Sequence, residues 1–129
     1  MRRNSYSGKY KLTKIEYYCA HYYALQYDEW KARYNILKGS MQNIDHNNTT
    51  GTSPAETVKE EYRKLQEKIE LVEQTAMKAG GDIYPYILKA VTSEDITYHH
   101  LKTVEQIPCE KNTYYDRRRK FYWLLAQKI

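Results

Sequence analysis

The fold is decided by one stretch in the middle of the chain, residues 53–81, with the sequence SPAETVKEEYRKLQEKIELVEQTAMKAGG. Its apolar residues recur in alternating steps of four and three, which places them on one face of an α-helix. They are Val58, Tyr62, Leu65, Ile69, Val72, Ala76 and Ala79. Ser53-Pro54-Ala55-Glu56 has the form of a capping box, and Gly80-Gly81 ends the run. The stretch predicts a long helix whose single seam either braces an N-terminal hairpin or forms a homodimer.

Two further helices are predicted before this stretch. Thr13-Lys14-Ile15-Glu16 has the form of another capping box, with a hydroxyl at the cap and a carboxylate three residues later. Helical spacing in the segment that follows predicts an inward face made of Ile15, Tyr18, Cys19, Tyr22 and Leu25 or Gln26. Asp28 is expected to cap the second helix, which Gly39 ends after Trp30, Tyr34 and Leu37.

Shorter helices are predicted after the glycine pair. Asp82 is expected to cap the first, whose inward residues are Ile83, Ile87, Leu88 and Val91. Thr97 is expected to cap the second, from Tyr98 to about Glu105, with Leu101 and Val104 or Glu105 inward. Pro108 then breaks the chain within a turn of four residues, Gln106 to Cys109. A last helix is expected from about Lys111 to Gln127, and no strand pattern occurs, so the predicted fold class is all-α.

The predicted organisation has three parts. Residues 1–38 form an N-terminal helical segment that begins with a basic arm, and residues 54–129 form the long helix plus a C-terminal helix-turn-helix. Between them, residues 39–53 are rich in glycine, asparagine, serine and threonine and show no periodicity. That composition predicts a flexible linker.

Several classes of protein are excluded by what the sequence lacks. No run of about 18 apolar residues occurs, and no apolar run follows Met1-Arg2-Arg3, so neither a membrane span nor a secretory signal is expected. Cys19 and Cys109 lie 90 residues apart and are expected to be reduced thiols in a cytoplasmic protein. The spacing of the cysteines and histidines does not fit a metal site, and no cofactor or catalytic motif is present. We therefore expect no metal, no cofactor and no enzyme activity.

Positive charge is concentrated at the two ends of the chain. The formal net charge is +5, but residues 1–40 hold eight basic and three acidic residues, and residues 110–129 hold six and two. Residues 41–109 hold seven basic and eleven acidic residues, so the middle is acidic. An excess of cations at a chain end favours a polyanionic partner such as nucleic acid.

The C-terminal excess lies on the predicted last helix. Tyr114, Phe121 and Leu124 or Leu125, with the stem of Arg117 or Arg118, are expected to face inward. A short helix, a turn and a longer helix with a basic start match the plan of a helix-turn-helix, whose second helix enters the DNA major groove. The predicted DNA-binding residues are Lys111, Asn112, Thr113, Tyr115, Arg117, Arg118, Arg119 and Lys120. The alternative interpretation of this basic run is a solvated helix face that binds nothing.

The C-terminal segment also resembles a known family. Ile96-Thr97-Tyr98, Ile107-Pro108, the run from Asn112 to Lys120 and Leu124-Leu125 are similar to the end of RinA/ArpU-type phage transcriptional regulators, which carry a sigma region 4-like helix-turn-helix. The resemblance implies sequence-specific binding of double-stranded DNA and regulation of phage or prophage genes. Asp116 and Glu110 depart from an all-basic helix and would repel phosphate if exposed.

A second hypothesis therefore stays open. The chain could be a protein-interaction module of a phage or mobile element, for example an inhibitor or adaptor that engages a host complex such as RNA polymerase. Its tyrosine-rich N-terminal helices and its basic end would then form the contact surface. The two hypotheses are expected to differ in how strongly salt weakens binding, because phosphate contacts release counterions.

Overall fold

A computed structural model of the chain describes the backbone of residues 10–47 and 53–129, with side chains for residues 10–42 and 56–129. Within these ranges the chain is all-α, as predicted, and contains no strand. The helices are α1 (Lys14–Leu25), α2 (Tyr27–Asn47), α3 (Ser53–Gly80), α4 (Tyr84–Val91), α5 (Tyr98–Thr103) and α6 (Lys111–Ala126), with a 3₁₀ turn at Gly81–Ile83. None of the described helices is both long enough and apolar enough to cross a bilayer.

The long helix α3 is the centre of the fold. It packs against α2, α4 and α6, and its seam residues Leu65, Ile69, Val72, Ala76 and Ala79 are buried. Each large apolar side chain buried in this way contributes about 1.5–3 kcal/mol. Of the two alternatives for the seam, the structure therefore shows packing within the chain. A homodimer would have to use a different surface.

Tyrosines build much of the interface between α2 and α3. The rings of Tyr34 and Tyr62 are stacked with centroids 4.6 Å apart, and the Tyr62 hydroxyl donates to that of Tyr34 over 2.9 Å. The Tyr27 hydroxyl donates to the Glu73 carboxylate, and Arg33 forms a bidentate pair with Glu61. Hydroxyls that find partners inside the interface make an aromatic core possible, because an unpaired buried hydroxyl would be costly.

Helix α1 begins as predicted but presents a different face to the core. Thr13 and Glu16 form the expected capping box. The buried residues are Ala20 and Ala24, whereas the residues predicted to face inward are exposed on the opposite side: Ile15, Tyr18, Cys19 and Tyr22. The prediction was wrong because α1 has apolar or aromatic residues on both sides. The small alanines allow the closer packing, and spacing alone cannot show this.

Helix α2 extends beyond Gly39, where the sequence predicts its end. The helix runs through this glycine to Asn47, and α1 and α2 form a pair bent at Gln26. Gly39 therefore does not end the helix, and residues 39–47 of the predicted linker are helical. Residues 48–52 and the basic arm before Tyr10 lie outside the described residues, and so do the side chains of the capping box at 53–55.

The C-terminal helices follow the predicted order with shifted boundaries. Asp82 does not cap α4, because Ile83 occupies the cap position and the 3₁₀ turn intervenes. Thr97 caps α5 as predicted, accepting from the amide of His100. Helix α5 ends at Thr103, so Val104 is 64% exposed and residues 104–110 make a connection of seven residues rather than four. The buried Ile107 stabilises this connection through a hydrogen bond from its amide to the Leu101 carbonyl, 3.0 Å long.

Candidate nucleic-acid interface

Helix α6 carries most of the predicted site, and its inner face is well defined. Tyr114, Phe121, Tyr122 and Leu125 are buried against α3 and α1. This confirms the predicted inward positions of Tyr114, Phe121 and Leu125. Because one side of the helix is fully packed, only side chains on its flanks and outer face can meet a ligand.

The front of α6 is exposed but electrically mixed. Lys111 and Asn112 are exposed, while Thr113 and Tyr115 are half-buried, and the Tyr115 ring packs edge-on against Tyr114 at 4.8 Å. Two exposed carboxylates lie near the start of the helix, Glu110 at its cap position and Asp116 in its second turn, and Oδ1 of Asp82 lies 3.6 Å from Nη1 of Arg117. The front can therefore offer hydrogen-bonding groups to a base, but it carries little excess positive charge.

Arg117 is among the predicted DNA-binding residues, but its guanidinium is directed to the end of α3. Its Nη1 atom donates to the carbonyl oxygen of Gly80, the last residue of α3, and lies 3.6 Å from Oδ1 of Asp82. The last carbonyls of a helix lack partners within the helix, and a cation there also offsets the negative end of the helix dipole. Arg117 is therefore placed to cap α3, which is a structural role.

Arg118 is enclosed between α6 and α1. Its guanidinium carbon lies 5.2 Å from the centroid of the Tyr122 ring, a cation–π contact. Burial opposes its charge, but the hydroxyls of Tyr122, Tyr114 and Tyr17 outweigh this effect, and the pKa of Arg118 is raised. Its cation is used inside the fold, so the prediction that Arg118 contacts DNA is not supported by its position.

Arg119 and Lys120 lie on the outward flanks of α6. Both are half-buried along their stems, and Nη2 of Arg119 lies 3.8 Å from the Asp116 carboxylate one turn earlier. Asp116 is exposed to solvent, and at this distance its carboxylate also orients the Arg119 side chain. Arg119 and Lys120 therefore remain partly accessible to solvent, and the Arg119 side chain is 29% exposed.

The N-terminal segment lies beside this part of α6. The rings of Tyr10 and Trp123 are 5.7 Å apart, and those of Tyr17 and Tyr122 are 5.0 Å apart. Lys11, next to Tyr10, is exposed, and so is Lys14, one turn before Tyr17. We call Lys11, Lys14, Arg119 and Lys120 the basic surface. The two basic ends of the chain are therefore brought together by the packing of α1 on α6.

Lys11 and Lys14 were missed as site residues by sequence reasoning. The excess charge of the first 40 residues was a signal for them, but a distance of about a hundred residues separates them from α6 along the chain. Nothing in the local pattern shows which helices become neighbours. Only the packing of the aromatic residues shows that the two groups of cations lie on neighbouring segments of the fold.

His21 lies where α1 packs against α6. The His21 ring stacks on Tyr17 with centroids 5.4 Å apart, and its Nδ1 atom lies 3.4 Å from the Tyr122 hydroxyl. Burial and the nearby Arg118 lower the pKa of His21, with a smaller opposing effect from Glu94. His21 is therefore neutral at pH 7 and supports the aromatic packing that holds the two ends together.

Comparison of the chain with protein-family models, with curated proteins and with solved structures gives no match. The candidate interface is thus defined by its own geometry: a mixed, exposed front at Lys111 and Asn112, and the basic surface further along α6.

Proposed function

We propose that this chain is a DNA-binding protein that holds the backbone of a duplex on its basic surface. The observation that carries the proposal is the packing of the N-terminal segment against α6, through Tyr10 on Trp123 and Tyr17 on Tyr122. This packing joins two groups of cations that are far apart in the chain. Phosphates are bound by such clusters of lysine and arginine with little dependence on sequence.

The front of α6 supplies the groups that would discriminate between bases. Lys111 can donate to guanine, and Asn112 can pair with adenine through its amide. Both side chains are exposed at the first turn of the helix, where recognition helices contact base edges. In keeping with the resemblance to RinA/ArpU-type regulators, the proposed biological role is the regulation of phage or prophage transcription.

The length of the connection between α5 and α6 changes how α6 is expected to dock on DNA. Seven residues join α5 to α6, whereas a helix-turn-helix uses about three or four. In the proposed complex the basic surface therefore provides most of the affinity, and α6 enters the groove from its front without a tight preceding turn. Acidic groups at Glu110 and Asp116 limit how closely the front approaches phosphate.

A salt titration tests the phosphate contacts. If four cations contact phosphates, affinity for duplex DNA should fall about a hundredfold between 50 and 200 mM salt. The measurement is fluorescence anisotropy with a labelled random-sequence duplex of about 25 base pairs, which avoids any need to know the operator. Binding that does not change with salt would contradict a phosphate-based interface.

A pair of charge-matched variants tests the position of the site. Lys14→Ala/Lys120→Ala removes two cations from the basic surface and should weaken DNA binding at least about tenfold at low salt. Lys59→Ala/Lys64→Ala removes the same charge from exposed positions of α3 and should leave affinity nearly unchanged. Equal losses in the two variants would show that net charge, and not this surface, determines binding.

A further inference from the structure

One face of α1 is apolar and exposed. Ile15, Tyr18 and Tyr22 are 76%, 43% and 56% exposed, and their spacing of three and four residues aligns them along the helix. The rings of Tyr18 and Tyr22 are stacked on each other with centroids 6.0 Å apart. We call these three residues the aromatic stripe. It lies on the side of α1 opposite to the buried Ala20 and Ala24.

The stripe leads into an acidic cleft at the bend between α1 and α2. A cavity of about 610 Å³, open to solvent, is lined by Tyr22, Leu25, Gln26, Glu29, Thr92, Glu94 and Asp95. Tyr22 belongs to both features, so stripe and cleft form one continuous surface. Three carboxylates face a space whose described lining contains no lysine or arginine.

The carboxylates of the cleft lack the ion pairs that several glutamates of α3 form. Those glutamates are Glu60, Glu61, Glu67 and Glu73, each paired with an arginine or a lysine. No ion pair with a described side chain is formed by Glu29, Glu94 or Asp95. They do not form a metal-binding group either, since the described residues contain no cluster of three such ligands. Their negative potential is therefore available to an external cation.

We propose that stripe and cleft together are the docking site for a helical segment of another protein, apolar along one face and carrying lysine or arginine at one end. The stripe spans eight residues, about 10 Å along the helix axis, which matches the apolar side chains of two turns of a partner helix. Tyrosines are frequent anchors of such interfaces because they bury a large area at little cost in side-chain entropy. The cleft then receives the basic end of the same helix.

Charge complementarity selects this occupant over nucleic acid. The three carboxylates would repel a phosphate backbone, so the site is distinct in chemistry from the basic surface and goes beyond the proposed function. A lysine or arginine reaching the cleft forms charge-assisted contacts, while its apolar neighbours cover the stripe. The two surfaces would allow the protein to hold duplex DNA and a partner protein together.

A pair of designed peptides tests the proposal on the full chain. The first is a labelled 18-residue amphipathic helix of leucine and lysine, and the second replaces every lysine with glutamate. Fluorescence anisotropy should show the lysine peptide binding at least about tenfold more tightly than the glutamate peptide, because the cleft discriminates charge. Failure of the lysine peptide to bind, or equal binding of both, would overturn the proposal.

Matched variants locate the binding. Tyr18→Ser/Tyr22→Ser and Glu94→Gln/Asp95→Asn should each weaken the lysine peptide at least about fivefold, while Ile36→Ser, at an exposed position of α2, should not. Circular dichroism checks that all three variants fold. Equal affinity in every variant would place the peptide elsewhere and refute the site.

Two further measurements distinguish the proposed partner helix from a second copy of the chain and from DNA. If light scattering shows a dimer that Tyr18→Ser/Tyr22→Ser converts to a monomer, a second copy covers the stripe and the proposal is wrong. The same variant should bind duplex DNA as the wild type does. A loss of DNA binding in this variant would show that the stripe contacts nucleic acid and would overturn the proposal. If instead only the proposed DNA binding by the basic surface is wrong, binding of the lysine peptide should be unchanged.

Discussion

Arg117 shows how one side chain can belong to a basic run and still serve the fold. It follows Asp116 and precedes two further arginines, yet its guanidinium contacts the Gly80 carbonyl at the end of α3. Removing it would therefore affect folding as well as any ligand. A variant that replaces the whole arginine run cannot separate these effects, which is why Lys14 and Lys120 are better probes of DNA binding.

Arg117→Ala should lower the free energy of unfolding by about 1–2 kcal/mol, because a helix-end carbonyl loses a charged donor. The partial exposure of the arginine, 33% for its side chain, keeps the expected value at this modest level. Urea unfolding followed by circular dichroism measures it. Lys111→Ala, at the exposed start of the same helix, is the control and should change stability by less than about 0.5 kcal/mol. Equal effects would argue against the capping role.

At the scale of the element, α2 and α1 illustrate two limits of pattern analysis. Glycine is common at helix ends, and the sequence therefore predicts one at Gly39, but α2 continues through it to Asn47. One glycine costs a helix only about 1 kcal/mol relative to alanine, which does not end it. In α1, apolar or aromatic residues follow helical spacing on both faces. The packing of α1 against α6 determines which face is buried.

Gly39→Ala should raise the free energy of unfolding by about 0.5–1 kcal/mol, since alanine favours the helix and its added Cβ meets no atom within 4 Å. Thermal unfolding measures the change. Gly81→Ala is the opposite case, because Gly81 has a φ of +58° and Nη1 of Arg117 would lie 3.4 Å from the new Cβ. It should destabilise the fold. A destabilising Gly39→Ala would mean that α2 ends at Gly39 after all.

At the scale of the whole molecule, the aromatic core links stability to pH. Burial raises the pKa of Tyr27, and the neighbouring Glu73 raises it further; burial also raises the pKa of Tyr122, although Arg118 opposes this. Both groups are neutral in the folded state at pH values where they ionise in the unfolded chain. Their contribution is therefore fully present below pH 10 and is lost as the pH rises above it.

Stability should accordingly decrease as the pH rises above about 10, and Tyr122→Phe should make the decrease shallower, because phenylalanine cannot ionise. Urea unfolding at several pH values measures both curves. Tyr18→Phe is the control, since this exposed tyrosine lies outside the core and should leave the slope unchanged. Identical slopes for wild type and Tyr122→Phe would show that the buried hydroxyl plays no part.

The seam of α3 gives the second prediction at this scale. Ile69 is 6% exposed, so Ile69→Asp buries a carboxylate without a partner and should destabilise the monomer by at least about 3 kcal/mol. Met77→Asp, at a position of the same helix that is 44% exposed, should cost less than about 1 kcal/mol. Chromatography and chemical unfolding distinguish this result from the alternative, in which Ile69→Asp yields a folded monomer from a dimer.

The sequence alone determined what depends on near neighbours in the chain. Helix class, the capping roles of Thr13 and Thr97, the seam of α3 and the extent of α6 follow from residues within about four positions of each other. These features need no knowledge of distant contacts.

Only the tertiary structure decided which surfaces meet. The contact that occupies Arg117 spans 37 positions along the chain, and the contact between His21 and Tyr122 spans 101. Such contacts depend on side-chain shape and on the closing of the chain around α3, which no local pattern encodes. They hold the Arg117 guanidinium at the end of α3, pack Arg118 on Tyr122, place Lys11 and Lys14 beside α6 and leave the aromatic stripe exposed.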